Sequence, residues 1–158
     1  MSDPKPRRAA AKRLAGLAVR TTNAAEADPG AAQIPGLWGR FMSEGWVERL
    51  ERAGAFGPVA AVYSAYESDV HGGYQLLIGR EIPQTSPVPS ELQVVLAPPG
   101  SYVAFRFPGP IPQAVIDGWR EVWAYFSRPD APPRAYSVDY EFYTEGSPME
   151  IWIAVRGS

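Results

Sequence analysis

Between Arg134 and Tyr143 the chain reads Arg-Ala-Tyr-Ser-Val-Asp-Tyr-Glu-Phe-Tyr, which sets a carboxylate in the middle of an aromatic strand. Side chains on a strand alternate between faces, so Glu141 shares a side with Asp139 and Tyr143 while Val138, Tyr140 and Phe142 take the other. A carboxylate on an aromatic sheet surface is costly to bury unless a positive or hydrogen-bonding group meets it. Two kinds of partner fit: an internal arginine, with Arg106 and Arg134 as candidates, or a cation that arrives from outside.

Other chemistries find less support. The chain has no cysteine, which excludes disulfides, thiolate metal sites and a cysteine nucleophile. Its single histidine, His71, lies in the turn-like Ser68-Asp69-Val70-His71-Gly72-Gly73, a poor setting for a Ser-His-Asp arrangement. Glu67, Asp69 and His71 offer two carboxylates and one imidazole without a fourth ligand, a weak metal site. No metal and no cofactor is expected.

The elements that must position Glu141 can be followed along the chain. With 158 residues, 46% of them apolar, the sequence suits one domain with an ordinary core. A net charge of −2 with interspersed signs gives no broad basic field for nucleic acid. No run approaches the roughly 18 apolar residues of a membrane span, and no signal peptide opens the chain, so a cytoplasmic protein without a membrane partner is expected. Met1 to Ala11 reads as a solvated leader, followed by a single domain over 12–156.

Lys12 to Glu26 reads as a strand with a polar exit at Thr21-Thr22-Asn23, and Asp28-Pro29-Gly30 turns the chain. From Ala31 to Met42, Ile34, Leu37, Trp38 and Phe41 recur at three and four, the stripe of a helix that buries one side. Taken alone, Trp38 is core. Trp46 to Leu50 extends the helical region, Pro58 to Tyr66 is a strand, and Gly73 to Ile82 a second one, paired with it as an antiparallel hairpin. After the connector Pro83 to Pro89, Leu92 to Phe107 reads as a bent or interrupted strand broken at Pro98-Pro99-Gly100. Pro110 and Pro112 flank the start of the strongest helix, striped by Val115, Trp119, Val122, Trp123 and Phe126 and ended by Pro129 to Pro133. The acid-bearing strand and a closing strand, Met149 to Val155, follow.

The chain thus runs strand, helix, hairpin twice, over about 12–82 and 92–156, a repeat of pattern rather than identity. The expected fold is α+β, with two strand-helix-strand-strand units side by side forming an antiparallel sheet with two main helices. An aromatic cleft between the halves is the natural place for a small molecule.

These residues resemble the GyrI-like small-molecule-binding domain, also called the AraC-type effector-binding domain, whose relatives include drug-binding modules of multidrug-responsive bacterial regulators and free-standing integron-cassette proteins. The resemblance covers nearly the whole chain after the leader. In the first half it rests on Gly16-Leu17-Ala18-Val19-Arg20-Thr21-Thr22-Asn23, Ile34-Pro35-Gly36-Leu37-Trp38-Gly39-Arg40-Phe41, and Val62-Tyr63 followed by Gly73-Tyr74 and Ile78-Gly79. In the second it rests on Pro99-Gly100-Ser101-Tyr102-Val103-Ala104-Phe105 with Gly109, on Trp119, and on Tyr140-Glu141-Phe142-Tyr143.

The resemblance implies a central cleft for bulky, often cationic, aromatic or lipophilic compounds, with Glu141 as pocket acid and Trp38 as helix tryptophan. Tyr63, Tyr66, Tyr74, Phe105 and Tyr143 are the candidate walls; cation-π contacts there are worth about 0.5–2 kcal/mol each. The short leader leaves no room for a helix-turn-helix, so a stand-alone sensor or sequestering module is expected, without nucleic acid as a partner of this chain alone. Two other readings stay open. Some relatives resemble hydrolases of strained electrophiles, which would make Glu141 a general base assisted by Tyr143 or Tyr74. Relatives linked to gyrase inhibition would make an unidentified protein the partner.

Overall fold

A computed structural model of the chain describes residues 5–68 and 71–156. Its eight-stranded sheet has the order β1-β6-β8-β7-β3-β4-β2-β5, and every pairing between the strands is antiparallel. The strands are β1 (Arg7–Ala9), β2 (Lys12–Thr21), β3 (Phe56–Ser64), β4 (Tyr74–Glu81), β5 (Gln93–Ala97), β6 (Gly100–Phe107), β7 (Val138–Tyr143) and β8 (Met149–Val155). The helices are α1 (Asn23–Glu26), α2 (Ile34–Ser43), α3 (Trp46–Arg52) and α4 (Gln113–Phe126). The duplicated α+β pattern is present: β2-α2-β3-β4 and β6-α4-β7-β8 each order their strands first-third-second, and the halves meet where β3 pairs with β7.

Period-two burial separates two buried faces. Val138 and Tyr140 join Leu14, Val62, Leu77, Val95 and Tyr102 on one face, with Phe142 packed against them. That cluster draws on strands near both edges of the sheet, so the sheet curls around it. The opposite face carries two cores, one against α2 and α3 around Leu37, Phe41, Trp46 and Leu50, the other against α4 around Val122, Ile151 and Ile153. Between these two helical covers the sheet's centre is left open.

Local chemistry fixes the helices. Thr22 caps α1 by accepting from the Ala25 amide at 2.9 Å. Gln33 gives α2 no side-chain cap; the Glu26 carboxylate instead accepts from the Gln33 and Ile34 amides at 2.9 and 3.1 Å. On α4, a Cβ at Gly118 would stand 2.8 Å from Phe107, so the glycine lets the helix settle closely on β6. That approach carries the neighbouring Trp119 to the sheet's centre.

Two expectations are revised. Leu92 to Phe107 is not one interrupted strand: β5 pairs with β2 on one side of the sheet and β6 with β8 on the other. The Pro98-Pro99 break lets the chain cross between them, prolines being unable to donate to a continuing ladder. Within the segment expected as a solvated leader, Arg7–Ala9 pairs with Gly100–Tyr102, and the Arg7 guanidinium lies 4.3 Å from the Trp152 ring centroid.

Candidate ligand-binding cleft

Glu141 lies on β7 opposite Ala61 of β3, with Ile151 of β8 on its other side, so apolar neighbours flank the acid within the sheet. It is only 4% exposed. Its Oε2 accepts from the Tyr63 hydroxyl at 2.7 Å and the Trp119 indole N–H at 2.5 Å, and its Oε1 from the Tyr143 hydroxyl at 2.5 Å. All three partners are neutral donors, so the group stands as an acceptor-only carboxylate with one acceptor position left on Oε1. Among the described residues no arginine or lysine pairs with it.

Both arginines considered for that pairing are engaged elsewhere. Arg106 pairs with Glu150 at 3.4 Å, and Arg134 with Asp139 at 2.9 Å. Asp139 is fully buried and also accepts from the Ala154 amide at 2.8 Å and the Tyr66 hydroxyl at 2.5 Å. Burial raises the Asp139 pKa, while Arg134 and these hydrogen bonds oppose the rise. The two acids on this face of β7 therefore differ in kind: Asp139 has an internal cation and Glu141 has none.

A local twofold relation organises the rings. Tyr63 and Tyr143 each follow by two positions the paired residues Ala61 and Glu141, and both reach the Glu141 carboxylate. Trp38 of α2 meets Tyr143 edge-on at 5.3 Å between centroids, and Trp119 of α4 meets Tyr63 at 5.2 Å. Burial first, then the Glu141 charge and the hydrogen bond, push the Tyr63 and Tyr143 phenols well above their ordinary pKa.

The space between the helical covers is a cavity of about 1390 Å³, larger than the usual few hundred to 1,000 Å³ of small-molecule sites. Trp38, Tyr63, Tyr66, Tyr74, Glu141 and Tyr143 all line it. Met42, Ile111, Ile116 and Trp123 line it too while remaining 61%, 54%, 46% and 46% exposed, which gives an apolar mouth.

Phe105 does not line the cavity. It shares a cross-strand row with Glu141 through Ile151, but the end of α4 lies over it, and its ring packs on Tyr125 and Phe126 at 5.3 and 6.2 Å. Sequence reasoning also passed over Trp119 as a site residue by taking it for part of the helix stripe. Its placement after Gly118, answering Trp38 in the first half, was the available signal. Of the Glu67, Asp69 and His71 group, Asp69 lies outside the described residues, and Glu67 accepts from the Gly73 amide at 2.7 Å.

The curled antiparallel sheet, the two helical covers and the cavity between them define a small-molecule-binding domain of the GyrI-like class. The chain belongs to the integron-associated effector binding proteins, the Cass2 family, whose profile it matches over residues 10–155. The crystal structure of an integron cassette protein from the mobile metagenome of Vibrio cholerae shares 35% identity and superposes with a TM-score of 0.82, covering 98% of this chain and 96% of that one. A structure of SAV2435 bound to tetraphenylphosphonium is 21% identical with a TM-score of 0.79, over 99% and 95% of the two chains, a likeness of fold. A Bacillus subtilis (strain 168) protein described as "Putative transcriptional regulator protein YobU" is 28% identical over 152 residues, 92% of each chain. No helix among the described residues is long and apolar enough to cross a membrane.

Proposed function

We propose that the cavity binds bulky lipophilic organic cations, with Glu141 as the fixed anion and Trp38, Trp119, Tyr63 and Tyr143 as the surrounding rings. The observation that carries this reading is the pairing of the two acids: Asp139 has Arg134, whereas among the described residues Glu141 meets three neutral donors and no internal cation. A desolvated carboxylate oriented by fixed dipoles attracts a delocalised cation, and ring faces add to that attraction. The wide cavity and apolar mouth favour shape-tolerant recognition over selection of one compound. The tetraphenylphosphonium held by SAV2435 is a ligand of the same chemical kind.

Binding is favoured over hydrolysis by the state of the phenols. Tyr143 does contact Glu141, as an acid-base pair would require, but the raised pKa values of Tyr63 and Tyr143 make both poor proton donors to a substrate. Tetraphenylphosphonium and tetraphenylborate have nearly the same shape and opposite charge, so titrating both into the protein isolates the electrostatic preference. The cation should bind at least tenfold more tightly; equal affinity, or preference for the anion, would refute the proposal.

A further inference from the structure

A second polar position lies in the same cavity, away from Glu141. Tyr74 of β4 is 4% exposed, and its ring packs between Tyr63 and Tyr66 at 5.4 and 6.1 Å. It lines the cavity, and no hydrogen bond is among the influences on its hydroxyl within the described residues. The other phenols around it are engaged with Glu141 or Asp139, whereas the Tyr74 hydroxyl, which is not one of the fully buried unpartnered polar atoms, opens onto the cavity.

Glu26 also lines the cavity. Its Oε2 accepts from the Thr21 hydroxyl at 2.6 Å and the Gln33 amide at 2.9 Å, whereas among the described residues its Oε1 accepts only from the Ile34 amide at 3.1 Å. Room for a further donor remains on Oε1. The Tyr74 phenol feels the negative charge of both Glu26 and Glu141, which places it in the field of the two carboxylates at once. From β7, which bears Glu141, three interstrand steps through β3 and β4 lead to β2, whose Thr21 holds Glu26. Thr21 also lies four residues along β2 from Leu17, which shares the Glu141 row through Ala61 and Ile78, so three steps of about 4.8 Å and four residues of about 3.3 Å set the two backbone positions roughly 20 Å apart.

We infer that Tyr74 and Glu26 form a second subsite that receives the distal N–H or cationic group of an elongated ligand. The preferred guests are then elongated aromatic dications, one end at Glu141 and the other at Glu26 with Tyr74 alongside. This rests on the reading of Glu141 as the anion for the first end, and adds a selectivity that a single acid cannot supply.

The diamidine phenylindole dye DAPI and its monoamidine analogue lacking the indole amidine provide a matched pair, read by fluorescence titration with the full chain. Wild type should prefer the diamidine about tenfold. Glu26→Gln should cut that preference to threefold or less, and Tyr74→Phe, which keeps the ring, should reduce it in part. Equal binding of the two dyes by wild type, or an unaltered preference in Glu26→Gln, would overturn the inference. If Glu26→Gln weakens both dyes and lowers Tm through loss of the α2 cap, Tyr74→Phe decides, and an unaltered preference there overturns it. Glu141→Gln should weaken both dyes together; if it weakens neither, the assignment of the first anion fails on its own account.

Discussion

Glu141→Gln is the substitution in which charge and shape separate most cleanly. The indole of Trp119 can only donate, so the glutamine carbonyl must take the Oε2 position, where it also accepts from Tyr63. The amide nitrogen then replaces Oε1, and the Tyr143 hydroxyl, which can rotate, accepts from it instead of donating. All three contacts survive and only the charge is lost, so Tm should hold within a few degrees. Two unit charges about 5 Å apart at an effective dielectric near 20 interact by about 3 kcal/mol. Water entering the open mouth reduces that to about 2 kcal/mol, which corresponds to roughly 30-fold in Kd. Calorimetric titration of tetraphenylphosphonium should show that loss, while tetraphenylborate should bind the variant more tightly than it binds wild type. A variant that keeps the cation's affinity within twofold would refute the electrostatic reasoning, whatever the fate of the fold.

Other consequences can be checked independently. Tyr63, Tyr66, Tyr74 and Tyr143 have pKa values raised by burial, so the folded state keeps their protons after the unfolded chain has released them near pH 10. Stability should therefore be intact below pH 10 and fall above it by about 1.4 kcal/mol per pH unit for each phenol; tyrosinate absorbance should rise cooperatively with unfolding instead of gradually. Asp139→Asn leaves the Arg134 guanidinium buried without its counter-charge and should destabilise the protein by about 3–5 kcal/mol in denaturant melts, with Arg134→Met in the same chain recovering part of the loss. Gly36→Ala or Gly39→Ala on α2 meets nothing within 4 Å and should stabilise by about 0.5–1 kcal/mol each in thermal melts. Gly16→Ala or Gly79→Ala should do the opposite, because a Cβ there would lie 2.0 or 1.9 Å from a carbonyl oxygen of the paired strand.

The acid-bearing strand was legible because alternation on β7 sorts its residues between two buried faces, so Glu141, Asp139 and Tyr143 could be assigned to one side without coordinates. The hairpin of β3 and β4 was legible from glycines between two apolar runs. What a strand pattern cannot supply is position across the sheet. Phe105 has the right face and even the right row, yet lies two strands from Glu141, where α4 closes over it. The converse holds for Trp119: its helical spacing marks it as core, yet its indole N–H donates to the acid from a helix whose Gly118 sits close on Phe107. Tyr74 and Glu26 are far apart in the sequence and share no pattern, so their convergence belongs to the fold alone.

The Ala61–Glu141 pair stands at the point about which the two tyrosines and two tryptophans repeat. A guest turned over by half a revolution would thus meet the same ring arrangement around the same acid. A compact monocation held at Glu141 alone then has two similar seatings, worth up to a factor of two in Kd, about 0.4 kcal/mol, without any added contact. In a crystal of such a complex the guest would be seen as two superposed poses sharing one charged centre.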